Sequence, residues 1–494
     1  MDYTTNINDL PDDVLVEIFS YLTFSDLIQS AQKVCERWRF VAQYSELWRT
    51  LCYAPHGKET DDHIAIVLQQ TPKLEILSLK LRPVGHSVLY GALNYCPKLK
   101  RVEFSGRQRL NAKFLRNMLQ KCPSIEYLHL PNEVLNKMQC SEVIACFANL
   151  KTLVVGKYGH WDYPAVLKPL GDGCPALQHL DLVKEMHTHN DLGYFLEKKK
   201  DQLVSLAVGW TSADWMNTIP LLVVCRALKT LHVDSYYDSF VSDTQDIEIT
   251  PYFEPFSRLI TVTSLTLSEL HNVELDDLIS IFSNKAMSQL TELRIIHYDQ
   301  YQDEVGKVII DNCPNIKLLH FNQCYDLSDK TVESLYTLME LENLSLVFSE
   351  LLTDCGMLDI IKCDKLKYLD LGSCNKLEEC TMKLIMTLKN LRVLKLSCCD
   401  VKGLPFHMFP SCLKHLSFLD LKYSVNVDQK SLLELKVMMP SLFIEDSDCV
   451  FVDELGREFR KRETSTTNFQ HRVLPTIDMS LSDAPFLVRL LETG

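Results

Sequence analysis

Residue types that often carry out chemistry are plentiful in this chain, but they are never arranged for it. The 494 residues include 18 cysteines and 15 histidines. Yet no two cysteines stand at the Cys-x-x-Cys spacing that zinc and dithiol sites use. There is no Gly-x-Ser-x-Gly elbow, no Gly-rich phosphate loop ending in Gly-Lys-Ser/Thr and no His-Glu-x-x-His helix. His187 and His189 form a His-x-His pair, but no cysteine or carboxylate at metal spacing joins them, and a loop position accounts for both. The sequence therefore predicts neither catalysis nor a metal or other cofactor, and the function must lie in binding.

The first fifty residues predict where part of that binding occurs. Pro11 suits the first turn of a helix, where its missing N–H is not needed, and Asp12 and Asp13 follow where the helix dipole favours negative charge. Val14, Leu15, Ile18, Phe19 and Leu22 recur at helical spacing. Ser25 is a candidate N-cap for a second helix through Leu27 and Ile28; Val34, Trp38 and Val41 mark a third, and Leu47 with Trp48 a short fourth. So small a bundle rarely builds a self-sufficient core, so part of its apolar surface is expected to meet a partner.

At these positions the segment resembles the F-box. The matching elements are Leu10-Pro11, Leu15, Ile18-Phe19, Tyr21-Leu22, Val34-Cys35 with Trp38, and Leu47-Trp48. The resemblance implies docking onto the small Skp-type adaptor of cullin-RING ubiquitin ligases. It names Leu10, Pro11, Leu15, Ile18, Phe19, Leu22 and Leu27 as the adaptor-binding residues, with Trp38 placed in either the bundle core or the interface.

The remainder is a repeat array. An apolar residue, two variable residues, an apolar residue, one variable residue and another apolar residue recur from Leu74-Leu77-Leu79 to Leu416-Leu419-Leu421. The first members are spaced 25, 26, 25, 27, 26, 25, 34, 28, 26, 25, 25, 25 and 25 residues apart. This period and pattern define leucine-rich repeats, each a short strand, a turn and a returning helix that is stable only when stacked. A degenerate last unit is expected at Leu442 and Ile444. Cys96, Cys122, Cys174, Cys225, Cys313 and Cys363 lie three residues before a repeat's first apolar position, and Cys324, Cys374 and Cys399 eight after it. Both columns resemble the cysteine-containing subclass of leucine-rich repeats and read as small buried fillers. The adjacent Cys398 has no assigned role.

The expected fold is α/β: a helical F-box at 6–52, a solenoid of about 14–15 repeats at 53–452 with its parallel sheet on the concave face of a horseshoe and helices on the convex face, and a partly disordered tail at 453–494. Variable strand positions should line the concave face. Its central column reads Ser78, Glu103, His129, Val154, Asp181, Ala207, His232, Thr266, Arg294, His320, Ser345, Asp370, Lys395 and Asp420. Tyr127, His129, His179, Asp181, His232, Asp234, Arg294, His320 and Asn322 are the candidate substrate-binding residues, with Tyr368 beside them. Their histidines point to pH-sensitive binding. A second candidate surface is the insertion at 236–259, with Tyr236, Tyr237, Phe240, Tyr252 and Phe253 among acidic residues.

The formal net charge of −14 argues against a nucleic-acid surface, and no apolar run reaches the length of a membrane span. Residues 1–9 carry no secretory signal pattern, so the chain is expected in the cytoplasm or nucleus. The function implied is that of a substrate-recognition subunit of an SCF-type ubiquitin ligase, joined through the adaptor to cullin and RING subunits and binding an unknown protein substrate. The alternative is a leucine-rich-repeat scaffold without ubiquitin-ligase function.

Overall fold

The structure is a computed structural model. It describes residues 7–55, 59–131, 134, 138–156, 167–186, 189–211, 220–236, 256, 258–270, 273, 275–283, 285–298, 301–452 and 458–460. Most of the 236–259 insertion, His187 and the tail apart from 458–460 thus lie outside the described residues. The chain divides into two compact units at Leu206/Ala207.

The first unit opens with the predicted bundle, with three local corrections. Pro11 stands just outside the helix Asp12–Ser20, at φ −57° and ψ 157°, rather than within its first turn. Thr23, not Ser25, caps the next helix: its Oγ1 accepts the Asp26 N–H at 3.2 Å. Ser25 falls inside that helix, Phe24–Asp26. Val34 ends one helical stretch, Gln32–Val34, while Trp38 and Val41 belong to the following one, Glu36–Val41. The break is Cys35, fully extended at φ −159° and ψ 172°, whose Sγ accepts the Trp38 N–H at 3.4 Å. Ser45–Trp48 is the expected fourth helix.

A parallel sheet follows: β1 (Cys52–Tyr53), β2 (Ile76–Leu79), β3 (Arg101–Phe104), β4 (Tyr127–Pro131), β5 (Thr152–Gly156) and β6 (His179–Met186), paired in chain order. Helices Asp61–Gln70, His86–Tyr95, Ala112–Lys121, Met138–Ala145 and Leu167–Asp172 run back between successive strands. The unit division falls within β7 (Ser205–Thr211).

In the second unit, β8 (Thr230–Tyr236), β9 (Ser264–Ser268), β10 (Glu292–Ile296), β11 (Leu318–Asn322), β12 (Asn343–Ser345), β13 (Tyr368–Asp370), β14 (Val393–Lys395) and β15 (Phe418–Asp420) also pair in parallel, each with the next. The short β16 (Val427–Asp428) stands apart, and β17 (Phe443–Glu445) joins β15 with Leu419 opposite Ile444. The last repeat therefore keeps a spacing of 25, so Leu442 is not its register residue. β16 pairs instead with β18 (Val450–Val452), and β18 with β19 (Glu458–Arg460).

Along these strands the residues of the repeat pattern, such as Leu319, Phe321, Leu344, Leu369 and Leu394, are buried against the helices. Each such side chain contributes roughly 1.5–3 kcal/mol before ordering costs. The repeats are also stitched by polar contacts. Asp303 Oδ1 accepts the Ser328 N–H at 3.0 Å and the Thr331 hydroxyl at 2.5 Å. One repeat on, Asp329 accepts the Thr353 N–H at 2.8 Å and its hydroxyl at 2.6 Å. Asp354 then accepts the Glu378 N–H at 2.9 Å and the Thr381 hydroxyl. Each of these aspartates begins a helix, where the dipole also favours it.

The turns leaving β9 to β15 and β17 are left-handed. Glu269, His297, Gln323, Phe348, Ser373, Cys398, Tyr423 and Asp448 all have φ between 56° and 62°. A side chain in this region is costly, but from Glu269 to Tyr423 the conformation aims the N–H at the next repeat: Phe348 donates to Gly372 O at 3.0 Å, Ser373 to Ser397 O at 2.9 Å and Cys398 to Lys422 O at 2.9 Å. Cys398 thus occupies the strained turn, and Cys399 beside it belongs to a column of buried thiols. Cys374, Cys399 and Cys449 donate to the carbonyls of Leu346 (3.0 Å), Leu371 (3.1 Å) and Leu421 (2.7 Å). The cysteines are hydrogen-bond donors between repeats as well as fillers. Cys449 joins their column once the last repeat is read at its true spacing.

Candidate adaptor-docking and substrate-binding surfaces

The first helix divides its apolar residues between two stripes. Leu15, Phe19 and, half-buried, Leu22 turn inward at i, i+4 and i+7; Val14, Ile18 and Tyr21 keep the same spacing on the outer side. Phe19 packs edge to face on Trp38 with ring centroids 5.0 Å apart, and Leu27 is likewise in the core. Of the predicted adaptor-binding residues, Leu15, Phe19 and Leu27 are thus interior groups. Their side chains pack within the bundle's own core. Pro11 is exposed, and Leu10, Ile18 and Leu22 are half-buried. Val14 and Tyr21 stand exposed beside them, Tyr21 at 76%. Trp38 packs on Phe19, and its Nε1 donates to Asn8 Oδ1 at 3.0 Å.

Sequence spacing gave no hint of Arg37. Its guanidinium reaches back 25 residues to Asp12 Oδ1, through Nε at 2.9 Å and Nη2 at 2.7 Å, and donates to the carbonyls of Asn8 and Leu10. It thereby holds Leu10-Pro11 against the start of the helix. A planar five-donor group suits this task, and a lysine would not replace it.

The predicted central column is in register within each unit. Ser78, Glu103, His129, Val154 and Asp181 are successive Cα partners in the first. In the second, His232, Thr266, Arg294, His320, Ser345, Asp370, Lys395 and Asp420 align in the same way. These side chains lie on the sheet face opposite the helices, but few are freely exposed. Glu103, Asp181, His232, His320, Ser345 and Asp370 are all buried, because neighbouring side chains across strands cover one another.

In the first unit the column holds a compact charged cluster. Glu103 Oε1 accepts from Arg101 Nε at 2.9 Å and Nη2 at 2.6 Å, with Lys80 Nζ 3.7 Å away. Burial opposes the Glu103 carboxylate, but Arg101 and Lys80 hold it below the ordinary range. Arg101 lies 3.9 Å over the Tyr127 ring. His129 Nδ1 contacts Phe104 O at 2.9 Å, and burial with Lys80 nearby lowers its pKa to about 4. Burial also lowers that of His179, which is half-buried.

In the second unit, His232 Nε2 meets the Ser268 hydroxyl at 2.9 Å, and Ser268 lies 3.1 Å from Asp234 Oδ1. Arg294 donates to Glu292 at 3.2 Å, and Asn322 Oδ1 accepts from Ser345 at 2.8 Å. Burial, with Arg294 and Lys395 nearby, keeps His320 far below its usual pKa. Thus His129, His179 and His320 are neutral near pH 7, which corrects the expectation of a pH-sensitive binding face for these three. Desolvation, absent from a sequence pattern, lowers the pKa of all three.

A profile of the F-box-like family matches residues 7–54. The chain carries an F-box-like domain. It is the N-terminal helical bundle, and the units behind it are built of leucine-rich repeats. The chain is 27% identical over 187 residues to a putative FBD-associated F-box protein of Arabidopsis thaliana, covering 37% of this chain and 42% of that protein. It is 26% identical over 204 residues to the putative F-box/LRR-repeat protein 22 of Arabidopsis thaliana, covering 39% and 66%. To F-box/LRR-repeat protein 12 of Mus musculus it is 33% identical over 124 residues, covering 25% and 32%. The matches thus span between about a third and two thirds of each relative's length. Among solved structures, a chain of the Rad7 and Elc1 complex in yeast aligns with a TM-score of 0.48 at 16% identity, over 78% of this chain and 88% of that one.

Proposed function

We propose that this chain is the substrate-recognition subunit of an SCF-type cullin-RING ubiquitin ligase. The F-box-like domain, taken as residues 6–52, docks a Skp-type adaptor and through it cullin and RING subunits. The repeats, taken as 53–452, hold a protein substrate on the open face of their sheets. The observation that carries the reading is the outward stripe of Val14, Ile18 and Tyr21 beside Leu10-Pro11, apolar surface on a bundle whose core is already filled by Leu15, Phe19, Leu27 and Trp48.

The chain's contribution to ubiquitin transfer is positional in this reading, and bond making belongs to other subunits. Tethering a substrate near the charged conjugating enzyme raises the effective concentration of its lysines. The work takes place in the cytoplasm or nucleus, without nucleic acid, membrane or cofactor. Co-purification of the full chain with a Skp-type adaptor tests this. Stable complex formation, lost in Ile18→Asp with the repeats still folded, supports the reading; no adaptor binding by the wild-type chain overturns it in favour of a scaffold.

A further inference from the structure

On β11 the alternation that sends Leu319 and Phe321 into the core turns His320 to the open face. Tyr368, two strands along, stacks on its imidazole with ring centroids 5.9 Å apart and planes at 27°. His320 is left 4% exposed, and neither Nδ1 nor Nε2 has a hydrogen-bond partner among the described residues. Buried polar side chains in folded proteins are nearly always paired, so an imidazole with both nitrogens unused calls for a partner from outside.

The surrounding groups define what that partner can be. Arg294 is spent on Glu292, at 3.2 Å. Lys395 lies 3.8 Å from Asp370 and next to Asp420 in the register. The Tyr368 hydroxyl donates to Asp370 Oδ2 at 3.1 Å. Each cation beside His320 already has a carboxylate, so an anionic ligand group finds no unmatched counter-charge here. The imidazole is neutral for the reasons given above and offers one N–H and one lone pair in diverging directions. Successive C=O and N–H groups of an extended main chain meet that pair of demands.

We propose that His320 anchors a peptide-binding subsite on the open face of the second unit, accepting uncharged main-chain groups of an extended protein segment when Tyr368 swings off the ring. This rests on the reading that the open face receives the substrate. Specificity would then come from side chains of the segment meeting neighbouring column residues, while His320 supplies a hydrogen-bonding register.

The test pans a phage-displayed library of random linear dodecapeptides on the full chain and titrates the enriched synthetic peptides by fluorescence anisotropy. His320→Phe keeps a ring for Tyr368 to stack on and removes both nitrogens; it should melt no lower than wild type and bind the peptides about tenfold more weakly or worse. Tyr368→Ala should bind at least as well as wild type. Affinity should stay level between about pH 6.5 and 8 and change little from about 50 to 300 mM salt. Equal binding by His320→Phe, or failure to enrich any peptide, overturns the proposal. So does steep salt dependence, which marks a charged ligand, or a crystal structure of the peptide complex with only water on the two nitrogens. Adaptor pull-down from the same preparations separates the two readings: retained adaptor binding with a failed peptide result sinks the subsite alone, whereas a wild-type chain that binds no adaptor sinks the ligase reading.

Discussion

Phe19 and Trp38 meet edge to face at 5.0 Å in the N-terminal bundle, and Ile18, the residue beside Phe19, is only half-buried. Adjacent members of the Ile-Phe pair therefore have different jobs, one available to a partner and the other holding the bundle together.

Substitutions should separate those jobs. Phe19→Ala removes a buried ring and is expected to cost about 3–5 kcal/mol, so it should lose adaptor binding together with the cooperative melt of the bundle. Ile18→Asp should leave the circular dichroism spectrum unchanged and stability within about 1 kcal/mol of wild type while abolishing adaptor capture. If Ile18→Asp binds normally, the outer stripe is not the docking surface.

Asp303→Ala removes the acceptor of the Ser328 N–H and hydroxyl and leaves the Thr331 hydroxyl only Tyr301 Oη as partner. A loss of roughly 1–2 kcal/mol is expected, concentrated in the two repeats that this carboxylate joins. Hydrogen exchange should show faster exchange of the amides from 328 to 332, with amides of the first unit unchanged. Uniform acceleration across both units would mean that the aspartate acts globally rather than as a local stitch.

The lowered pKa of His129 carries a pH dependence of definite sign. Unfolded, the imidazole takes a proton near its ordinary value of 6.5; folded, it resists until about 4. Above 6.5 both states are neutral and the group contributes nothing unfavourable. As pH falls from 6.5 towards 4, the unfolded state binds the proton first, and stability declines through that window. At pH 5 the penalty is on the order of 1–2 kcal/mol. His129→Gln, which retains a donor for Phe104 O, should flatten the fall in urea midpoint between pH 7 and 4.5 for the transition of the first unit. An unchanged slope would assign the acid sensitivity to other groups.

Thiol alkylation should sort the cysteines by their place in the repeat. Burial pushes Cys96, Cys174, Cys313 and Cys363 up to about 12, so they stay protonated and unreactive at pH 8. Cys146, Cys355, Cys380 and Cys398 are exposed and should be modified in the native chain. Peptide mass spectrometry of iodoacetamide-treated native and urea-unfolded protein reads this directly; rapid native labelling of Cys313 would show that the repeat interior opens.

The spacing of Leu, Ile and Phe determined much of this molecule before any coordinates. A repeat cannot bury its strand alone, so a register held near 25 residues demands stacked parallel strands, and the column from Arg294 to Asp420 could be aligned by counting. The Leu10-Pro11 to Trp48 pattern likewise announced the N-terminal bundle. Tertiary structure alone decided which members of those patterns are accessible. Periodicity assigns a residue to a face, but burial depends on what crosses from neighbouring strands and helices. That is why Phe19 is interior while Ile18 is half-buried, why Tyr368 covers His320, and why burial lowers the pKa of His129 and His320. Long-range polar pairs such as Arg37–Asp12 and Asp303–Thr331 were invisible for the same reason: nothing in a local pattern records which distant groups a fold brings within 3 Å of each other.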